Sequence, residues 1–281
     1  MNDDLSKKLF HSTTRIVSDI GSVGTGFYIL FAHEVDGKQI EIPVLATNKH
    51  VVSQAETIRI LVSVLDLEGK NPDVISVDIP LIKGVLFEHP DENVDLCVVI
   101  LAPLLEDLDK RGYRAEIFPF LEEQIYTDGK QEGHDLPSMQ EIFMTGYPNG
   151  LWDEKNNKPL TRRGVTASDL NLNWNGSQEF VGDIACFPGS SGSPVYVFNN
   201  GPFMTKGSLV SGRRLILLGI LYAGPTVTAT GEIRPNKIQT DYKYLSETPL
   251  MMNLGFIIKA KQLFKVKEKI INMINVAGVK A

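Results

Sequence analysis

The chain has 281 residues, 43% of them hydrophobic and 22% charged, with a net charge of −6. These proportions fit one large globular domain or two compact ones, and exclude disorder, collagen and coiled coil for the chain as a whole. The negative charge argues against a nucleic-acid binder held by its overall field. Two cysteines, Cys97 and Cys186, are too few for a disulfide scaffold or a Cys-rich zinc site.

The opening MNDDLSKKLF has no long apolar stretch behind a basic start, so no secretory signal is expected. The longest apolar runs, LCVVILAPLL and LILLGILYAG, reach only about half of the ~20 residues a membrane span needs. A cytoplasmic protein without a membrane span is the expectation. Short runs rich in Val, Ile and Phe come next: GFYILFAHEV, EIPVLAT, TIRILVSVL and DLCVVIL. They read as strands punctuated by turn clusters such as LEGKNPD, about five or six strands before Leu105. Cys97 lies inside the last run and reads as a buried small hydrophobe, with no disulfide to Cys186. Residues 106–140 are acidic with little period and read as an interdomain connection plus surface loop.

A second strand-rich block holds EIFMTGYP, TRRGVTAS, QEFVGDIA, PVYVF, RLILLGILYAG and LGFIIKA. Turn signals at Asn175-Gly176 and Asn199-Asn200-Gly201 separate some of these runs. The stretch NGLWDEKNNKP has no apolar period and reads as an exposed loop. Two blocks of about six strands suggest two packed β-barrels or sandwiches. The tail changes period: Leu263, Val266, Ile270 and Ile274 fall at helical spacing, widened by Phe264 and Ile271. From Phe256 onward there are six lysines and one acid. A basic amphipathic helix docked by its apolar face is expected, with a partner-binding or anionic-membrane helix as the sharper alternative. The expected units are residues 1–117, 118–258 and 259–281.

The segment FPGSSGSPVYV carries the most chemical information. Pro188-Gly189-Ser190-Ser191-Gly192-Ser193-Pro194 is a composition no helix or strand selects for stability. A glycine two residues before a serine lets successive N–H groups converge, which a developing oxyanion needs. The plain alternative is a tight turn between strands. Upstream, His50 ends an apolar strand in VLATNKHVV, and Asp95 opens the run DLCVVIL. A carboxylate beside a buried strand is costly unless paired, and a histidine N–H is one such partner. The order His50, Asp95, Ser191 is that of the chymotrypsin arrangement.

These segments resemble the trypsin-like (chymotrypsin-fold) serine peptidases, particularly a bacterial, HtrA-type branch without a PDZ domain. GTGFYIL resembles an early strand of that family, ATNKHVV its histidine motif, NVDLCVVIL its aspartate motif and PGSSGSP its serine motif. FMTGYP, RRGVTAS, LLGILYAG and LGFIIKA resemble its second-barrel strands, so the likeness runs from Ser22 to Ile258. It implies an all-β fold of two six-stranded antiparallel barrels side by side, followed here by the C-terminal helix. It implies a serine endopeptidase in which Ser191 attacks, His50 moves the proton and Asp95 orients His50. The N–H groups of Gly189 and Ser191 would form the oxyanion hole. The alternative is a latent or non-catalytic peptide-binding module on the same fold, used or switched by a partner protein.

Trypsin carries an acid just before its nucleophile, and Ser190 stands there instead. Arg15-Ile16-Val17 looks like an activation site, but its partner carboxylate is absent, so trypsin-type zymogen activation is not expected. Ser193 replaces a glycine often found after the serine. The resemblance runs the substrate pocket through Ile184, Ala185 and Cys186, facing Leu221, Tyr222, Ala223 and Gly224. Ala185 would lie near the floor, where trypsin has an acid, so a small or medium apolar side chain before the scissile bond is expected. The strand Leu221 to Gly224 would pair with an extended substrate. No HExxH, paired-Cys or phosphate-cradling motif is present, so no metal or cofactor is expected. His11, His33, His89 and His134 read as surface residues, and Asp91 as a fallback for Asp95. Arg162-Arg163 reads as a solvated strand end, with contact to a substrate acid as the alternative.

Overall fold

The computed structural model describes residues 4–35, 37–129, 135–205, 207–233 and 244–278; His134 and Lys280 lie outside them. The first unit is one mostly antiparallel sheet. It holds β1 (Thr13–Ser18), β2 (Val23–Val35), β3 (Lys38–Thr47), β4 (Thr57–Asp66), β5 (Asp73–Pro80), β6 (Leu86–Glu88) and β7 (Cys97–Ile100) in the spatial order β5-β4-β1-β2-β3-β7-β6. Two short strands complete it: β8 (Tyr113–Ala115) on β4, and β9 (Phe120–Leu121) parallel to β2. In β4 the side chains of Ile58, Ile60, Val62 and Val64 alternate into the core, while Arg59 points out to Asp78 of β5 at 2.7 Å.

The second unit is closed. β10 (Glu141–Gly146), β11 (Leu160–Thr166), β12 (Glu179–Asp183), β13 (Pro194–Thr205) and β14 (Ser208–Ala223) form most of the barrel. β15 (Thr226–Ile233) and β16 (Tyr244–Met251) then make a separate two-stranded sheet, and β17 (Leu254–Lys259) returns to close the barrel between β12 and β14. The fold is thus the expected chymotrypsin-like pair of β-units with a C-terminal helix. The first sheet carries nine strands rather than six. The excess comes from short or half-exposed strands such as β5, β6, β8 and β9, which bury too few side chains to stand out as apolar runs.

Helices fill the corners: α1 (Leu5–Leu9), α2 (Lys49–Val52), α3 (Ala102–Lys110) and α4 (Leu263–Gly278). The acidic stretch after Leu105, read as loop, begins inside α3 and continues through β8 and β9. In α3 Leu108 is buried against the first sheet and the acids face out. Arg15-Ile16-Val17 lies within β1, paired to β2 and β4, with Ile16 fully buried.

One core cluster joins the molecule. Phe27, Ile29, Val44 and Val98 of the first sheet meet Tyr196, Leu217 and Ile220 of the barrel, and Leu263, Val266 and Ile270 of α4 pack into the same cluster. The lysines of α4 do not all face solvent. Lys267 pairs with Glu122 at 2.7 Å, and Lys269 donates to the Glu88 carbonyl at 2.8 Å. His89 is buried rather than on the surface, with its Nε2 3.2 Å from Gln262 beside the start of α4. Among the described residues no helix is long and apolar enough to cross a membrane.

Candidate active site

The histidine is set by a short turn at the end of β3. Asn48, fully buried, sends its Nδ2 to the Asp95 carbonyl at 2.7 Å, and α2 follows at once. Val51 and Val52 bury on one side of α2, which leaves His50 on the open side. Gly24 is required beneath them, because a Cβ there would sit 2.6 Å from Val51 Cγ1. Asp95, just ahead of β7, holds His50 twice. Its Oδ1 accepts the His50 backbone N–H at 3.0 Å, and its Oδ2 faces Nδ1 at 2.5 Å. The carboxylate can only accept, so in the neutral imidazole Nδ1 carries the proton and Nε2 keeps its lone pair. The His50 side chain is 47% exposed and that of Asp95 24%. Burial pushes the Asp95 carboxyl up, but the hydrogen bonds and charge of His50 outweigh it and hold it below the ordinary value. Asp91 lies elsewhere: its carboxylate caps Asn93, and its carbonyl takes Lys49 Nζ.

The serine loop is built as a turn of unusual backbone. Ser190 N–H donates to the Phe187 carbonyl at 2.9 Å around Pro188 and Gly189, and Gly189 has φ +85°. Proline then glycine with positive φ is the form of a type II turn. The Pro188 carbonyl is turned away and taken by Asn149 N–H at 2.5 Å. The N–H groups of Gly189 and Ser191 consequently have no hydrogen-bond partner among the described residues. A Cβ on Gly189 would lie 2.6 Å from the Tyr147 carbonyl, and one on Gly192 (φ +87°) 2.0 Å from the Thr25 carbonyl.

Thr25 ties this loop to the first sheet. Its N–H donates to the Ser191 carbonyl at 2.8 Å, its hydroxyl to the Gly189 carbonyl at 2.9 Å, and its carbonyl accepts Thr47 Oγ1 at 2.8 Å. Thr47 is three residues before His50. The chain of bonds therefore runs from the serine loop, through Thr25 and Thr47, to the histidine turn. Sequence reasoning placed Thr25 only in a resembling strand and gave it no role. The signal that it belongs to the site is its place between Gly24 and Gly26 in GTGF, where a Cβ would crowd Val51 at the first glycine and Ile16 and Leu45 at the second.

Ser191 Oγ donates to the Tyr222 carbonyl at 3.4 Å, a long bond, and no hydrogen bond joins it to His50 among the described residues. The Tyr222 hydroxyl donates to Glu179 at 2.5 Å, and its ring shares a small cavity with Asp95. Burial first, then the Glu179 carboxylate, raise the Tyr222 hydroxyl well above its ordinary value. Ser190 and Ser193 are both buried with hydroxyls that have no partner among the described residues.

Beside Ser191 opens a cavity of about 110 Å³. Cys186 and Pro188 line one side, Leu221, Ala223 and Gly224 the other, and Met251 at the end of β16 completes it. Among the described residues no charged side chain lines it. Ala185 stands outside the lining. Its carbonyl is taken by Arg162 Nη1 at 3.2 Å, and the same guanidinium lies 4.8 Å from the Phe187 ring. Arg162 thus braces the pocket wall from behind, while Arg163 pairs with Glu141. Burial pushes the Cys186 thiol up to about 12 despite the nearby Arg162 charge.

A histidine turn and a serine loop facing each other across two β-units define the class as chymotrypsin-like. A family model for the trypsin-like peptidase domain matches residues 24–201, more than half of the chain, and the chain belongs to that family. No curated protein matches it. Among solved structures, the scabies mite inactivated protease paralogue S-I1 is similar, with 13% identity and a TM-score of 0.47 over 94% of this chain and 96% of that one.

Proposed function

We propose that the chain is a serine endopeptidase that cleaves peptide bonds through an acyl-enzyme. Ser191 Oγ attacks the scissile carbonyl and His50 Nε2 takes its proton. The amine leaves with that proton, and water, activated by the same nitrogen, releases the acyl group. Asp95 holds the tautomer and stabilises the imidazolium. The Gly189 and Ser191 N–H groups receive the oxyanion. The observation that carries this reading is the pair of unspent N–H groups at Gly189 and Ser191, held open because Asn149 takes the Pro188 carbonyl. The uncharged cavity beside Ser191 supports an apolar side chain of small or medium size before the scissile bond. Cys186, Ala223 and Gly224 would touch that side chain. Tyr222 would present its carbonyl to the substrate backbone, and Ala185 would act only through the wall it shares with Arg162. Both cysteines are free, which fits a reducing, cytoplasmic setting.

The second reading is a latent or non-catalytic peptide binder, and the absence of a Ser191–His50 bond favours it. Labelling with a fluorophosphonate separates the two. Reaction of the wild type and not of Ser191→Ala supports the peptidase. Folded protein that never reacts sinks constitutive activity. Reaction gained only on adding a partner identifies the latent form.

A further inference from the structure

The most unusual element beside the cleft is the ribbon β15–β16. β14 ends at Ala223, and only Gly224 and Pro225 separate it from β15. On the other side, Met252 and Asn253 separate β16 from β17. The register resumes at Thr226↔Met251 and runs unbroken to Ile233↔Tyr244. The strand that passes Ser191 therefore continues for eight more residues as one side of a two-stranded ribbon.

That side has a free edge. β15 pairs with β16 alone among the described residues. Pro225, which lacks an N–H, does not interrupt the edge. Its carbonyl accepts Met252 N–H at 3.1 Å, so its backbone faces the ribbon's interior. Alternation then turns the backbone groups of Thr226, Thr228 and every second residue beyond them outward. Tyr222, whose carbonyl already faces Ser191 Oγ, stands at the head of the same edge. The cross-strand pair Val227 and Leu250 is about half exposed, giving the ribbon an apolar patch as well.

We propose that this edge binds the N-terminal part of the substrate as an added strand. The preferred substrate would be an extended, unfolded polypeptide segment contacted over roughly ten residues ahead of the scissile bond, not a short loop. Continuity with the strand at the cleft selects this occupant: a peptide seated there and extended away from Ser191 runs along β15. Main-chain pairing at an open edge supplies affinity with little dependence on sequence. The proposal deepens the peptidase reading and rests on it for the direction in which substrate lies.

The test uses the full chain with Ser191→Ala, so that binding is read without turnover. Fluorescein-labelled peptides of four, eight and twelve residues, drawn from one serine, threonine and valine sequence and all ending in alanine, are titrated by anisotropy. Affinity should rise at least tenfold from four to twelve residues. Single N-methylation along the twelve-residue peptide should weaken binding about fivefold at every second residue, the worth of one ordinary hydrogen bond, and leave the residues between unaffected. Equal affinity at all lengths, or loss without alternation, overturns the proposal. So does a dimer of the chain whose formation competes with the long peptide, since a second copy would then own the edge. Failure of the peptidase reading shows separately, as absence of fluorophosphonate labelling on the wild type.

Discussion

At the scale of single residues the site depends on a threonine that touches no substrate. Thr25 fixes the Gly189 carbonyl with its hydroxyl and the Ser191 carbonyl with its N–H. Thr25→Val keeps the shape and removes only the hydroxyl, which leaves the Gly189 carbonyl without its donor at a cost of about 1–3 kcal/mol. The turn then keeps its backbone bonds but loses this side-chain anchor, and kcat should fall about tenfold or more while KM changes little, with Thr25→Ser restoring it. An equal loss in kcat and stability for Thr25→Ser would assign Thr25 a purely structural role. Gly189→Ala is the complementary change. The new methyl meets the Tyr147 carbonyl at positive φ, so turnover should drop by ~10²–10³, the worth of an oxyanion donor, in a protein that still folds. The two thiols should be inert. Burial holds the proton on Cys97 and on Cys186, the latter up to about 12. Iodoacetamide at pH 8 should alkylate neither in the native chain and both once unfolded. The sign for stability follows. The unfolded thiol, with an ordinary value of 9.0, ionises first as pH rises. Its contribution is therefore whole below about pH 9 and is lost toward pH 12.

At the scale of elements, α4 illustrates what periodicity can and cannot reveal. The stripe Leu263, Val266 and Ile270 is buried to 1% exposure or less, as its spacing predicts. Ile270→Ala should lower stability by about 2–5 kcal/mol. Met273→Ala, at an exposed position one turn on, should stay within about 0.5 kcal/mol. Urea midpoints measure both, and equal effects would mean that α4 is not docked as described. The lysine face was less legible, because Lys267 and Lys269 find Glu122 and the Glu88 carbonyl far away in sequence. The strands β2, β3, β4, β7 and β14 were readable because each buries a run of β-branched or large apolar side chains. Helix α3 was not, since its acids hide a stripe of three leucines. The ribbon β15–β16 was not either: the threonine-rich TVTATGEI shows no apolar alternation in its sequence. The pairing of His50 with Asp95 was legible in order and local composition. The placing of Thr25, Met251 and Arg162 was not, because it arises only from contacts between residues far apart in sequence.

At the scale of the whole molecule, the two β-units are not independent. Their shared cluster includes Phe27 and Val98 from one, Tyr196 and Leu217 from the other, and α4 between them. Thr25, Tyr147 and the serine loop add hydrogen bonds across the same boundary, including Tyr147 N–H to Thr25 Oγ1 at 3.2 Å. A core that spans both units makes exposing one of them cost apolar surface of the other, so unfolding should be a single cooperative transition. The chain supplies a convenient reporter. Both tryptophans, Trp152 and Trp174, lie in the loops of the barrel, on either side of β11. The Trp152 ring lies 4.8 Å from the Arg15 guanidinium of β1, so tryptophan fluorescence follows the barrel and its contact with the first sheet, while far-ultraviolet circular dichroism follows all the strands. Coincident urea curves from the two probes are expected. An Ile270→Ala chain, loosened at the shared cluster, should shift both curves together. Curves that separate would show that the two units open one at a time, and the cleft would then be a seam that unfolding can split.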